Sequence, residues 1–243
     1  MTHFMTRHSP RILAPLLAAV ALLAPLSTTQ AQSFCASDDQ SQPVQLMERF
    51  INADCDSCWT DPATPRPDIG AVALDWVVPG NQGDEAPLSA VARRDALVRL
   101  EALGESIPGK TMTTIRAAKG LQGTTLRVAH GLPLAGYLGA SIELKPIPAM
   151  AKKQRLKPWL ALVETLPAGT EGSPVARNLV RNLLQPLWDG HKQLSKNEQD
   201  RLFETRSMNI PPAANPDRLR VIGWVEDEKG QVLTAAQSGC AAP

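Results

Sequence analysis

Two cysteines three residues apart, in Cys55-Asp56-Ser57-Cys58, are the residues of this chain best suited to chemistry. A vicinal dithiol can reduce a disulfide. One thiolate attacks, a mixed disulfide forms, and the second sulfur releases the partner. The attacking sulfur must be exposed and partly ionised, and the resolving sulfur must lie one helical turn further on. Cys55 is the candidate attacker and Cys58 the candidate resolver. The alternative is a static structural disulfide. Asp54, Asp56 and Asp61 crowd the pair with negative charge, which disfavours a thiolate. Pro65 and Pro67 would break a helix starting at the motif within its second turn. Cys55 is therefore expected to be a poorer nucleophile than its counterpart in an efficient reductase.

The chain has four cysteines: Cys35, Cys55, Cys58 and Cys240. An even number in an exported chain points to complete pairing, and four cysteines allow three connectivities. The simplest joins Cys55 to Cys58 and leaves Cys35 to bridge Cys240, tying the two ends together. A zinc site built from these thiols, or joined by His130 or His191, is a third option. Irregular spacing and an oxidising compartment count against it, so no metal and no cofactor is expected.

The elements around the motif follow from apolar patterning. Residues 44–50 read as a strand leading into it. Residues 69–78 read as a buried strand ending at Pro79-Gly80. Acids at 84–85 and Pro87 open a helix whose apolar face is Leu97, Leu100 and Leu103, and Gly104 ends it. Arg93, Arg94 and Arg99 are assigned to its solvated face. Further strands are expected at 112–118, 124–129, 141–144, 159–164 and 202–208. Residues 179–188 suit a strand or a short helix. Residues 219–225 and 231–235 form a hairpin around Asp227-Glu228-Lys229-Gly230. The tryptophans at 76, 159, 188 and 224 sit in apolar runs and are assigned to the core, and Trp59 to shielding the disulfide.

Residues 1–31 read as a secretory signal: Arg7 and Arg11, a short apolar run broken by Pro15 and Pro25, and small residues before a cleavage point after Ala31. The remainder carries 23 bases against 24 acids, which gives no general attraction to nucleic acid. No later stretch is long and apolar enough to span a bilayer as a helix. The expected location is the periplasm or outside the cell, and the expected partners are exported thiol proteins or an envelope component. No phosphate loop, zinc-protease motif or paired-carboxylate signature is present.

A Cys-x-x-Cys that follows a strand and opens a helix is the thioredoxin arrangement. The chain also resembles the secreted bacterial family called domain of unknown function 1223. Residues 44–58, from Val44-Gln45-Leu46 to the cysteine pair, resemble that family's strand running into its own cysteine pair. Thr111-Met112-Thr113-Thr114-Ile115, Trp159-Leu160-Ala161-Leu162-Val163-Glu164 and Val221-Ile222-Gly223-Trp224-Val225 are similar to its later strands. Thr114 stands where the wider superfamily places a cis-proline opposite the cysteines. The resemblance implies an α/β plus β fold. A thioredoxin-like domain at 32–123 would be followed by a β-sandwich-like, mainly β domain at 124–243. It implies no known substrate; the cysteine motif itself makes thiol–disulfide exchange the activity to test. The alternative is a non-catalytic envelope protein, working through binding, with two structural disulfides.

Overall fold

Runs of apolar residues too short for helices, separated by glycine and proline, become strands. The computed structural model describes Met1 and residues 35–152, 154–188 and 200–240. The expected signal segment and His191 fall outside these residues. Twelve strands are described. They are β1 (Cys35–Ala36), β2 (Gln45–Asn52), β3 (Ala71–Val78), β4 (Thr111–Ala117), β5 (Thr125–His130) and β6 (Tyr137–Lys145). Then come β7 (Lys157–Leu166), β8 (Arg177–Leu184), β9 (Leu202–Asn209), β10 (Leu219–Glu226), β11 (Val232–Gln237) and β12 (Gly239–Cys240). There are two α-helices among the described residues, α1 (Asp56–Trp59) and α2 (Arg94–Leu103).

The strands form two sheets. One has the order β12-β1-β5-β6-β9, the other β11-β10-β7-β8-β3-β2-β4. In the smaller sheet β6 alternates, turning Leu138, Ala140, Ile142 and Leu144 inward. These meet Leu160, Leu162, Val221 and Leu233 of the larger sheet in a shared apolar layer. The opposite face of the larger sheet carries a second layer, in which Phe50, Leu74, Trp76, Trp159 and Trp224 pack with Ala96 and Leu100 of α2. Strands β7 and β10 are thus buried on both faces, and for that reason their sequences read as nearly unbroken apolar runs.

Among the described residues strand far outweighs helix, 44% against 13%, in two packed sheets, which places the fold in a β-sandwich-like class. This corrects the α/β plus β expectation with its thioredoxin-like first domain. Two local causes are visible. α1 lasts one turn, ending at Thr60 before the prolines. The helix expected from residue 84 breaks into two short 3-10 turns, Gly83–Glu85 and Ser89–Val91, before α2 begins. The larger cause is non-local. β2, β3 and β4 share one sheet with β7, β8, β10 and β11, so strands from both sides of residue 123 are hydrogen-bonded into one layer. Gln32–Pro243 forms a single compact unit.

Gly223, on β10, marks a close approach of the two sheets. A Cβ there would lie 2.5 Å from Val128 Cγ1 of β5 and 3.1 Å from Ile142 Cδ1 of β6. Gly223→Ala is expected to cost about 1–3 kcal/mol by overpacking. A denaturant midpoint unchanged from the parent would refute this close packing.

Candidate functional site

The Cys-x-x-Cys lies where β2 ends. β2 and β3 are parallel neighbours, so the chain must cross over between them, and the crossover begins with the motif. The turn is held by backbone. Cys55 N–H donates to Asn52 O (3.0 Å) and Cys58 N–H to Cys55 O (3.2 Å). The Asn52 side chain braces it by accepting from Asp54 N–H (2.9 Å) and donating to Pro108 O (2.9 Å). Cys55 and Cys58 form a disulfide across this single helical turn. Cys55 is half-buried and Cys58 buried, so the two cysteines of the motif differ in burial.

The acids named from sequence are not equivalent. The Asp54 carboxylate turns away to accept from Asn81 N–H (2.8 Å) and Gln82 N–H (3.2 Å). Gly80 leaves the room for it, since a Cβ there would fall 2.2 Å from Asp54 Oδ1. Asp61 accepts from Ala63 N–H in the following turn. Asp56 is exposed in the first turn of α1. Asp54 and Asp61 are thus held by backbone hydrogen bonds, whereas Asp56 is exposed next to Cys55.

Sequence reasoning missed the charged group beneath the motif. Asp75 on β3 is fully buried. It accepts from Arg49 Nη2 of β2 (2.7 Å), and from Arg177 Nη1 (2.8 Å) and Asn178 N–H (3.0 Å) of β8. The Arg177 guanidinium lies 4.5 Å from the centre of the Trp59 ring and donates to Trp59 O (2.9 Å). Burial pulls the Arg177 guanidinium below its ordinary value, against the Asp75 charge. Trp59 is buried and donates Nε1–H to Glu171 O (2.7 Å). It is thus pinned between β8 and the 171 loop rather than free to dock a partner. The signal was a lone charge inside an apolar run, Asp75 in Leu74-Asp75-Trp76, but its partners lie 26 and 102 residues away.

Beside Cys58 is a cleft of about 160 Å³ lined by Arg49, Cys58, Asp61, Thr111, Thr113 and Arg177. Thr111 and Thr113 belong to β4, an edge strand of the larger sheet. Thr114 sits further along that strand, opposite Glu48 of β2.

The second disulfide joins Cys35 to Cys240. It clamps β1 to β12 at directly opposed positions, and on the other side of β1, Cys35 opposes His130 of β5. Burial pushes the His130 imidazole below its ordinary value, and the Arg220 charge works in the same direction.

No family model matches the chain. No curated protein matches it. Among solved structures it is similar to HBP35 of Porphyromonas gingivalis, at 11% identity and a TM-score of 0.47, over 81% of this chain and 74% of that one. That degree of likeness carries no functional argument.

Proposed function

We propose that this chain is an exported thiol–disulfide exchange protein acting through Cys55, with Cys58 as the resolving sulfur. The observation that carries the reading is the asymmetry of the pair: a half-buried Cys55 and a buried Cys58 on a single turn, with Cys58 lining a cleft. The two disulfides fit an oxidising compartment. No helix of the described residues is long and apolar enough to cross a membrane. The partners are disulfide-bonded proteins of the same compartment.

In the reduced protein the Cys55 thiolate attacks a partner disulfide. One partner sulfur leaves as a thiolate and takes up a proton, and the other is held as a mixed disulfide. Cys58, losing its proton, attacks Cys55 Sγ. The Cys55–Cys58 bond forms and the second partner thiol leaves, so two electrons have passed to the partner.

A second reading is a binding protein whose Cys55–Cys58 bond is static. The four-residue length of α1 favours it, since so short a helix gives the sulfur little dipolar stabilisation. Redox titration separates the two. Exchange predicts a midpoint between about −120 and −270 mV, the span of known exchangers, whereas a structural bond falls below about −300 mV. Cys58→Ser is expected to accumulate mixed disulfides with an oxidised peptide, and Cys55→Ser is not. Equal trapping by both variants, or by neither, would overturn the assignment of roles.

A further inference from the structure

Three side chains that coordinate metals elsewhere in proteins stand abreast across the smaller sheet. β1 runs between β12 and β5, and Cys35 is directly opposed by Cys240 on one side and by His130 on the other. Directly opposed residues of neighbouring strands project from the same face. One ligand atom from each of the three lies within 4.8 Å of the other two. Cys35 is 1% exposed and His130 4%.

The imidazole is oriented. Nδ1 lies 2.9 Å from Gly131 O, and a carbonyl only accepts, so Nδ1 carries the proton. Nε2 is then a bare lone pair, and it is buried without a hydrogen-bond partner. A buried polar atom left unpaired is uncommon and calls for an explanation. A backbone carbonyl holding one imidazole nitrogen leaves the other free to ligate, which is the way proteins orient a ligating histidine.

We propose that reduction of the Cys35–Cys240 bond converts this cluster into a three-ligand site for a thiophilic d10 cation, Zn²⁺ or Cu⁺. A dithiol reductant of the compartment passes two electrons and two protons to the bond and is itself oxidised to a disulfide. Cys35 and Cys240 become thiols. The cation displaces both thiol protons to solvent, forming two metal–sulfur bonds and one metal–Nε2 bond. Two thiolates and an imidazole select soft cations over magnesium or calcium. Ligand bonds of about 2.0–2.3 Å require the two sulfurs to move apart after reduction. They sit on two-residue strands, β1 and β12. The site is independent of Cys55 and Cys58.

The test uses the Cys55→Ser/Cys58→Ser variant, so that no other thiols remain. Reduced and freed of reductant under argon, it is titrated with Co²⁺ as a spectroscopic probe, then with Zn²⁺ and with Cu⁺. One equivalent of Co²⁺ is expected, with thiolate-to-cobalt charge-transfer absorption, and Zn²⁺ or Cu⁺ should displace it. The oxidised protein should take up none. His130→Ala should weaken binding by about tenfold or more, the scale seen when a metal site loses a supporting group. Three results would each overturn the proposal: no uptake after reduction, uptake unchanged by His130→Ala, or loss of the far-ultraviolet strand signal on reduction. Whether Zn²⁺ or Cu⁺ binds more tightly identifies the cation.

Discussion

Arg99→Met is expected to lower the unfolding free energy by about 3–5 kcal/mol, the cost of breaking a buried ion pair from one side. Arg99 was assigned from sequence to the solvated face of its helix. It is instead fully buried on α2. Its Nε and Nη2 donate to the two Glu48 oxygens (2.8 and 2.9 Å), and Nη2 and Nη1 donate to the two Glu226 oxygens (2.6 and 3.3 Å). The guanidinium also lies 4.9 and 5.0 Å from the ring centres of Trp159 and Trp224. Both indoles donate Nε1–H to Glu226. Removing the guanidinium leaves two buried carboxylates with only Arg116, at the margin of the cluster, as a cationic partner. Methionine keeps much of the stem's volume, so the loss measures charge rather than a cavity.

The same network sets a pH dependence. Burial pushes the Glu226 carboxyl up, but hydrogen bonds and charge from Arg99, and then from Arg116, hold it below its ordinary value. A carboxyl depressed in the folded state binds fewer protons than it does unfolded. Its stabilisation is complete above the unfolded value of about 4.3 and is lost as pH falls through the folded one. Denaturant unfolding of parent and Arg99→Met across acid pH checks both effects. The triple variant Arg99→Met/Glu48→Gln/Glu226→Gln should recover much of the loss at neutral pH. A cost below about 1 kcal/mol for Arg99→Met alone would show that the cluster does not stabilise the fold.

Cys35→Ser/Cys240→Ser is expected to cost about 5 kcal/mol. The closed loop spans a sequence separation of 205, and its removal releases that much entropy in the unfolded chain under the chain-entropy model. With typical stabilities of about 5–15 kcal/mol the fold should persist, with a lower denaturant midpoint. Cys55→Ser/Cys58→Ser, closing a separation of 3, should cost far less. Equal costs for the two double variants would mean that the long bridge does not restrain the unfolded chain.

Much of the local structure was legible in the amino-acid order. The strands expected at 44–50, 159–164 and 219–225 fall at β2, β7 and β10, because an apolar run bounded by turn residues has few other uses. The turn at Asp227 forms as read, with Gly230 N–H donating to Asp227 O (3.1 Å). The short strands β1 and β12 gave no such signal. Two residues cannot show a period, and Cys35–Ala36 and Gly239–Cys240 are strands because they pair with each other and, for Cys35–Ala36, with β5.

For the candidate site, the sequence by itself determined the cysteine spacing, the single helical turn allowed before the prolines, and the strand that delivers the motif. Tertiary structure decided the rest. It joined strands from both halves into one sheet and buried Cys58 but not Cys55. It also set His130 beside the terminal bridge and sank Arg99 between two glutamates 51 and 127 residues away. The division has a physical cause. Backbone periodicity is local, whereas strand order and the burial of charge depend on which distant groups can satisfy one another once water has left.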